Sequence, residues 1–238
     1  MIKLKPYQQQ GYDKIVSILR KSSTALECSG TGYGKTYIAV AVARELGLKI
    51  AVCCPKIVIP VWEEVAEIGG VEVRFVLNYE KIRTGKTIAG KWAKGLRHFE
   101  WDVPPDTLMI FDEAHRAKNP KSKNGLMAQA ISRYPCKKLF ISATLARDPR
   151  DLKAPGLCAK IFNKDDFWFW CMKMGVHKGV FAFEFKGTVQ EMNKLHSAFA
   201  PWMHRERTED IEDFPKNSVE ALAVETGNAK KIDKYIKA

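Results

Sequence analysis

Apolar residues along the chain fall in short runs that alternate between two kinds of spacing. Five runs read as buried strands, and they are TALEC (24–28), KIAVCCP (49–55), VEVRFVL (71–77), TLMIFDEAH (107–115) and KKLFISAT (137–144). Short apolar runs bounded by Gly, Pro or Ser are typical of such strands. Two segments, KTYIAVAVARELG (35–47) and VIPVWEEVAEIGG (58–70), have helical spacing and end at glycine. The alternation predicts an α/β fold, a parallel sheet flanked by helices, with its site at the carboxyl ends of the strands.

The pattern is less regular after Thr144. The predicted elements there are a helix in DDFWFWCMKM (165–174), a strand or hairpin in GVFAFEFKG (179–187), a helix with a basic end in 188–207, a strand in NSVEALAVE (217–225) and a helix in NAKKIDKYIKA (228–238). The aromatic run FWFW at 167–170 has two interpretations. It is either a buried patch that anchors a helical insertion or a platform on which nucleic-acid bases stack.

Length and composition limit the class of protein. The chain has 238 residues, of which 46% are hydrophobic, which is enough for one large domain or two small ones. No apolar run approaches the roughly 20 residues that span a bilayer. The start, MIKLKPYQQQ, lacks the apolar stretch of a signal peptide. We therefore expect a cytoplasmic protein, or a nuclear one if its source has a nucleus, with no membrane partner.

The charge balance is strongly basic. Lys and Arg number 39 against 27 for Asp and Glu, and the difference is a formal net charge of +12. Such an excess favours a polyanionic partner such as nucleic acid, although a solvated basic surface without a partner would have the same composition.

The six cysteines form no C-x-x-C pair. Buried, reduced thiols are the simplest interpretation, because free cysteine behaves as a small apolar residue. An alternative is a metal site made by Cys158, Cys171 and His177, but their spacing is loose for metal ligands.

A glycine-rich turn joins the first predicted strand to the first predicted helix. Its sequence, SGTGYGKT, fits the phosphate-binding pattern G-x-x-x-x-G-K-[ST] with Ser29 at the first glycine position. Glycines let successive N–H groups face an anion, and the helix N-terminus adds a favourable dipole. Lys35 is predicted to reach the β- and γ-phosphates of ATP, and Thr36 to ligate Mg²⁺. The predicted ATP contacts in this turn are Ser29, Gly30, Thr31, Gly32, Tyr33, Gly34, Lys35 and Thr36.

Two adjacent carboxylates follow another predicted strand, in MIFDEAHRAKN. Asp112 is predicted to hold Mg²⁺ through water, and Glu113 to position and deprotonate the attacking water. On its own, D-E-A-H is equally compatible with a solvated helix start. Its position after a second strand, following a phosphate-binding turn, favours the catalytic interpretation.

At this point the chain resembles a known family. GTGYGKT, DEAH and SAT look, in this order, like motifs I, II and III of superfamily 2 helicases and translocases, a family that commonly replaces the first glycine of motif I. More narrowly, DEAHRAKN resembles the D-E-A-H-R-x-K-N motif of the Swi/Snf-type group. The resemblance covers nearly the whole chain and implies a RecA-like lobe. It also implies that His115, Ser142 and Thr144 couple the nucleotide state to nucleic-acid binding.

Further segments extend the resemblance. LKPYQQQGYDKI is similar to an opening motif whose glutamine recognises adenine, which implies that role for Gln8. PKIVIPVWEE resembles motif Ia, and NYEKI resembles a later motif near the nucleic-acid path. These two imply nucleic-acid contacts for Lys56, Asn78 and Tyr79.

The end of the chain departs from the family pattern. The segment PWMHRERTEDIEDFPK resembles the block R-R-x-K-x-D-V-x-x-x-L-P-x-K. However, His204 and Arg205 stand where the family usually has two arginines, and DFPK stands in place of L-P-P-K.

The resemblance implies a nucleic-acid-dependent ATPase that uses ATP and Mg²⁺ and acts on double-stranded DNA. We expect one lobe over 1–238, with a core of about 1–146 and an insertion and return over about 147–238. The family's second lobe, which carries its arginine fingers, has no counterpart here. We therefore expect hydrolysis to be nearly absent without such a lobe, in cis or in trans. Two alternatives stay open: a non-hydrolysing nucleic-acid-binding or regulatory module, and the motor lobe of a nuclease or restriction complex.

Overall fold

A computed structural model describes residues 2–93, 98–144, 146–212 and 214. Within these residues the strands are β1 (Thr24–Glu27), β2 (Lys49–Cys54), β3 (Val73–Asn78), β4 (Gly90–Trp92), β5 (Phe99–Trp101), β6 (Thr107–Asp112), β7 (Lys137–Ile141), β8 (His177–Lys178), β9 (Phe183–Glu184) and β10 (Met203–His204). The α-helices are α1 (Pro6–Lys21), α2 (Lys35–Glu45), α3 (Ile59–Gly69), α4 (Tyr79–Ile82), α5 (Lys123–Ala130), α6 (Lys153–Cys158), α7 (Phe167–Lys173) and α8 (Val189–Phe199).

Six of the strands form one parallel sheet in the order β10-β1-β7-β6-β2-β3. Helices connect successive strands and cover the sheet. The predicted fold class, a parallel sheet flanked by helices, is confirmed. Strands β4 and β5 pair antiparallel outside this sheet, as do β8 and β9.

The central strands are buried on both faces. In β1, Ala25 and Leu26 are both fully buried and pack into separate apolar clusters on opposite sides of the sheet. In β6, Ile110 and Phe111 likewise pack into separate apolar clusters on opposite sides of the sheet. Two-sided burial explains why these strands are continuous apolar runs in the sequence.

All five strands predicted before Thr144 are present, with their ends moved by a few residues. Both predicted helices are also present, as α2 and α3. Pro60 lies in the first turn of α3, where its missing N–H costs no hydrogen bond, and Gly70 ends that helix in the left-handed conformation at φ 62°.

Several elements were not predicted from the sequence. Helix α1 begins at Pro6 and packs on α2 and β1. Ser122 caps α5 by accepting a hydrogen bond from the backbone N–H of Gly125. Strand β10 lies inside the stretch predicted as a helix with a basic end, and it joins the sheet beside β1.

The region after Thr144 matches the prediction in part. The predicted helix in 165–174 is α7. The predicted strand or hairpin in 179–187 contains only β9, which pairs with β8 just before that stretch. The FWFW run is divided: Phe167 and Trp170 are buried, whereas Trp168 and Phe169 are 47% and 63% exposed. The buried-patch interpretation therefore holds for half of the run. The predicted strand at 217–225, the predicted helix at 228–238 and most of DFPK lie outside the described residues.

All six cysteines are buried with free thiols, as the sequence predicted. Burial raises the pKa of the Cys28 thiol to about 12. In the described ranges, no group of three or more His, Cys, Asp or Glu side chains is arranged to hold a metal ion. None of the helices in those ranges is long and apolar enough to cross a membrane.

Candidate nucleotide-binding site

The predicted phosphate, metal and coupling residues lie at the ends of three neighbouring strands. Strands β1, β7 and β6 are adjacent and parallel, so their carboxyl ends meet at one edge of the sheet. The glycine-rich turn follows β1, the hydroxyl-bearing turn that contains Ser142 follows β7, and Asp112 ends β6. Parallel α/β sheets characteristically bind ligands at this edge.

The glycine-rich turn, residues 29–34, has the backbone shape of an anion-binding loop. Gly32 and Gly34 have φ values of 82° and 84°, a region that favours glycine. Thr31 and Gly32 are exposed, whereas Ser29 is fully buried. A Cβ atom on Gly34 would lie 2.0 Å from Nε2 of Gln8. The backbone conformation therefore favours glycine at Gly34, and a side chain there would displace the Gln8 amide.

Lys35 is the first residue of α2 and its side chain lies over the turn. Its Nζ donates hydrogen bonds to the carbonyl oxygens of Ser29 and Gly30, at 3.0 and 2.7 Å. Burial lowers the pKa of Lys35, and the nearby carboxylates of Glu27 and Glu113 oppose that effect. A partly desolvated ammonium group at the start of a helix is well suited to contact phosphate oxygens.

Asp112 is held at the end of β6 by two donors. Its Oδ2 accepts a hydrogen bond from Nε1 of Trp62 at 2.9 Å, and its Oδ1 accepts from the backbone N–H of Glu113 at 2.9 Å. Burial raises the pKa of the Asp112 carboxyl, against the effect of the Trp62 hydrogen bond. A buried carboxylate that is costly to ionise favours a nearby cation, and oxygen atoms are the ligands that Mg²⁺ prefers. Asp112 therefore has the chemistry of a magnesium ligand, and Thr36, the second residue of α2, adds a hydroxyl next to Lys35.

Glu113 has a left-handed backbone, with φ 50° and ψ 51°. This conformation is uncommon for residues other than glycine and is concentrated at functional sites. The Glu113 Oε2 atom lies 3.1 Å from Nδ1 of His115, and the same Nδ1 lies 3.1 Å from Oγ of Ser142. The structure thus brings together the second acid, the histidine and the first residue of the SAT turn.

Ser142 is fully buried, and its Oγ also accepts a hydrogen bond from the backbone N–H of Thr144 at 3.3 Å. Thr144 itself is exposed. Its side chain lines a cavity of about 180 Å³ together with Cys28, Arg147 and Arg205. The SAT turn therefore contacts both the acidic motif and the residues around β1.

Gln8 is buried against the glycine-rich turn. Its Nε2 donates to the carbonyl oxygen of Tyr33, and its Oε1 accepts from the backbone N–H of Lys5, both at 2.9 Å. One amide hydrogen and one oxygen lone pair are left for another partner, as adenine recognition requires. The Tyr33 side chain is fully buried, so any nucleotide contact by Tyr33 must come from its backbone.

The predicted nucleic-acid contacts do not share one environment. Lys56 is exposed in the short 3-10 helix after β2. The side-chain oxygen of Asn78 caps α4 by accepting from the backbone N–H of Lys81 at 2.7 Å. Tyr79 is fully buried, and its hydroxyl donates to the Asp112 carbonyl at 2.9 Å. The Tyr79 side chain therefore supports the end of β6, and a nucleic-acid contact by Tyr79, which stays a prediction, would have to come from its backbone.

Trp62 was not predicted as a site residue. It is fully buried on α3, and its indole N–H reaches Asp112 across 50 positions of sequence. Trp62 belongs to the segment PKIVIPVWEE, which resembles motif Ia. Nothing in the sequence, however, predicts that it contacts Asp112.

A buried cluster beneath the glycine-rich turn was also not predicted. Oε1 of Glu27 accepts from the backbone N–H of Ser29 at 2.9 Å, and its Oε2 lies 2.8 Å from Nδ1 of His204. Glu27 and His204 are 1% and 6% exposed. Tyr33 donates from its hydroxyl to Oε2 of Glu206 at 2.8 Å. In the sequence, Glu27 and His204 are polar residues next to apolar ones, which suggests that they are buried. Nothing in the sequence pairs them, because they are 177 positions apart.

Comparison with known proteins supports the fold. No protein-family model matches the chain. It is 35% identical over 175 residues to "Putative ATP-dependent RNA helicase L364" of Acanthamoeba polyphaga mimivirus, which covers 64% of this chain and 32% of that protein. The chain thus spans about a third of the length of this relative.

Two solved structures have similar folds. One is the Sulfolobus solfataricus SWI2/SNF2 ATPase core in complex with dsDNA, with a TM-score of 0.60 and 18% identity over 90% of this chain and 47% of that one. The other is the SWI2/SNF2 ATPase core domain of the same organism, with a TM-score of 0.56 and 16% identity over 88% of this chain and 44% of that one. The chain therefore has the fold of a SWI2/SNF2 ATPase core, over somewhat less than half of that core.

Proposed function

We propose that this chain is the ATP-binding lobe of a nucleic-acid-dependent ATPase of the superfamily 2 helicase and translocase type, in its Swi/Snf-like DEAH group. One observation carries the proposal. The glycine-rich turn with Lys35, the Asp112–Glu113 pair and the SAT turn lie at one edge of the sheet, and His115 contacts both Glu113 and Ser142. A flexible surface loop would not need acids, a lysine and a hydroxyl at neighbouring strand ends.

The chemistry follows from the groups at this edge. Backbone N–H groups of the turn and the ammonium group of Lys35 bind the β- and γ-phosphates. Asp112 and Thr36 would hold Mg²⁺, which would neutralise phosphate charge. Glu113 accepts a proton from the attacking water and orients it toward the γ-phosphate. Gln8 contacts adenine with its free amide hydrogen and lone pair.

His115 and Ser142 give this site a way to respond to a second ligand. A change at Glu113 on hydrolysis alters the His115 contact, and Ser142 passes that change to Thr144. The ligand we propose is the phosphate backbone of nucleic acid, most simply double-stranded DNA, with exposed Lys56 among its contacts. The basic composition supports this, as do the helicase name of the mimivirus relative and the DNA in one similar structure.

We propose that efficient turnover needs groups beyond those that the described residues place at this edge of the sheet. An arginine that offsets charge in the transition state contributes about 10³ to 10⁵ in rate. Arg116 lies 3.4 Å from Glu80, and Arg150 is ion-paired with Asp148, so carboxylates elsewhere hold both guanidinium groups. We propose that a second RecA-like lobe, in cis or in trans, provides the missing arginine and the second nucleic-acid grip.

Calorimetry of Mg-ATP binding tests the proposal. The wild-type chain should bind Mg-ATP, and Lys35→Ala should abolish measurable binding because it removes the charge opposite the γ-phosphate. Lys14→Ala is the matched control, since it removes an exposed lysine on α1 and should leave affinity unchanged. Equal affinity in the Lys35→Ala variant would refute the phosphate-site assignment.

An assay of phosphate release with and without duplex DNA tests whether a second lobe is needed. Turnover of several per second from residues 1–238, lost in Glu113→Gln, would show that no second lobe is needed.

A further inference from the structure

The buried cluster beneath the glycine-rich turn has a role beyond packing. Both oxygens of Glu27 are engaged, one by the Ser29 backbone N–H and the other by His204. Ser29 in turn receives Lys35 on its carbonyl oxygen, at 3.0 Å. The carboxylate of Glu27 and the ammonium group of Lys35 are therefore separated by a single residue of the phosphate-binding turn.

His204 is held from several sides. Its Nδ1 faces Glu27 at 2.8 Å and Oγ of Ser29 at 3.2 Å, and its Nε2 lies 3.8 Å from Glu206. Helix α1 closes the remaining side, because a Cβ atom on Gly11 would lie 3.0 Å from the imidazole ring. The ring therefore has a fixed position, with Nδ1 directed at the carboxylate.

The cluster is not a nucleophilic site. In a Ser-His-acid triad the serine and the acid contact opposite ring nitrogens of the histidine. Here Glu27 and Ser29 both contact Nδ1. Ser29 is also fully buried, and its Oγ accepts from the backbone N–H of Glu206 at 3.1 Å. These contacts position the turn and do not activate the hydroxyl.

We propose that His204 is a positioning residue for ATP binding, which engages the buried carboxylate of Glu27 so that Lys35 remains available to the phosphates. The inference rests on the proposed function, because it assigns Lys35 to the γ-phosphate. Glu27 is the strongest charged neighbour of Lys35. A buried carboxylate without its partner favours a cation beside it, and Lys35 is a cation that Ser29 alone separates from Glu27. His204 thus prevents an internal ion pair that would compete with ATP.

Backbone hydrogen bonds also attach the return segment, residues 203–210, to the glycine-rich turn. The backbone N–H of Cys28 donates to the carbonyl of His204 at 2.8 Å, and that of Gly30 donates to the carbonyl of Glu206 at 3.0 Å. A Cβ atom on Gly30 would lie 2.8 Å from the Thr208 side chain. His204 therefore acts where the turn and the return segment are packed together.

Two substitutions at His204 separate positioning from simple loss of packing. In His204→Asn the amide nitrogen occupies the position of Nδ1 and still donates to Glu27. In His204→Gln the donor moves one bond further from the backbone, away from Glu27. Mg-ATP affinity by calorimetry should fall about tenfold or more in His204→Gln and stay within about threefold of wild type in His204→Asn.

A double variant tests the role of the Glu27 charge. Glu27→Gln keeps an acceptor for the Ser29 N–H but cannot form an ion pair with Lys35. Affinity in Glu27→Gln/His204→Gln should therefore recover to within about threefold of wild type. Lys138→Met is the matched control, because Lys138 is also buried in the sheet but lies on β7 paired with Thr24, at the other end of β1. It should lower the melting temperature without changing affinity.

The possible results are distinct. Three results would each overturn the role of His204. They are equal Mg-ATP affinity in all variants, equal losses of affinity in His204→Asn and His204→Gln, and a double variant whose affinity does not recover. Loss of affinity in Lys138→Met would show that general destabilisation weakens binding, which would also overturn it. A wild-type chain that does not bind Mg-ATP would refute the proposed function itself, and the inference with it.

Discussion

Replacing Trp62 with Phe removes one hydrogen bond from the acid that we assign to the metal. Trp62 is fully buried and donates from Nε1 to Oδ2 of Asp112 at 2.9 Å. The matched control is Trp101→Phe. Trp101 is 5% exposed and donates from Nε1 to the neutral carbonyl of Met127, also at 2.9 Å. The two variants lose the same indole atoms, so their packing costs should be similar.

The difference between the variants is the charge on the acceptor. A hydrogen bond to a charged group contributes about 1.5–3 kcal/mol, against about 0.5–1.5 kcal/mol for a neutral pair. At neutral pH, Trp62→Phe should therefore lower the free energy of unfolding by about 1 kcal/mol more than Trp101→Phe. Burial already raises the pKa of Asp112 and the Trp62 hydrogen bond opposes it, so the substitution raises that pKa further.

The pH dependence follows with a definite sign. A carboxyl whose pKa is raised in the folded state destabilises the protein when it is ionised, and this penalty disappears as pH falls through that pKa. The stability difference between the two variants should therefore shrink toward acid pH. Mg-ATP binding needs the ionised form, so in Trp62→Phe its loss on acidification should begin about 0.7 pH unit closer to neutrality, since about 1.4 kcal/mol corresponds to one unit.

Urea unfolding and calorimetric Mg-ATP titrations at a series of pH values measure both effects. Trp101→Phe should show the wild-type pH profile of binding despite its lower stability. Identical profiles in wild type and Trp62→Phe would mean that Asp112 does not bind the metal, or that its charge does not depend on the indole. A stability difference that stays constant with pH would show that it comes from packing.

Three further predictions follow from the site. Glu113→Gln, made in a chain that includes a second lobe, should keep Mg-ATP affinity and lower turnover by about two orders of magnitude or more, and normal phosphate release would exclude Glu113 as the base. Gly34→Ala should abolish ATP binding, because its Cβ atom would clash with Gln8, whereas Gly47→Ala, at φ 63° with nothing within 4 Å, should cost only about 1 kcal/mol of stability and keep binding. Duplex DNA binding should be weak, insensitive to sequence and steeply salt-dependent, and an affinity that stays flat between about 50 and 200 mM salt would contradict backbone contacts by residues such as Lys56.

The sequence predicted the central strands of the sheet because these strands are buried on both faces. Residues 107–112 and 137–141 are mostly apolar runs, and short apolar runs of this kind are typical of strands buried on both faces. Helix α1 was not predicted because the residues that its first half buries are Gln8 and Gly11, and neither gives an apolar signal. Strand β10 was missed because two residues carry no periodic signal, and only its pairing with β1 defines it.

The site was predictable where chemistry is local and unpredictable where it depends on distant contacts. Gly32, Gly34 and Lys35 belong to one continuous motif. The burial of Tyr79 depends on a neighbouring strand end, so the same N-Y-E sequence is compatible with an exposed aromatic residue. The contact of His204 with Glu27 was not predictable, because the two residues are 177 positions apart in the sequence.

The position of β1 has a consequence for how the protein folds. Strand β1 pairs with β7 and β10, which follow it by more than a hundred residues, so the phosphate-binding turn lies between parts of the chain made at very different times during translation. Such long-range parallel pairing is intrinsically slow to form. A nascent chain that has passed residue 36 already contains the whole glycine-rich motif, but it has no His204 to engage Glu27. On the proposed function, we therefore expect that nucleotide does not act as an early template for folding, and that competence to bind ATP arises late in synthesis, together with the completed sheet.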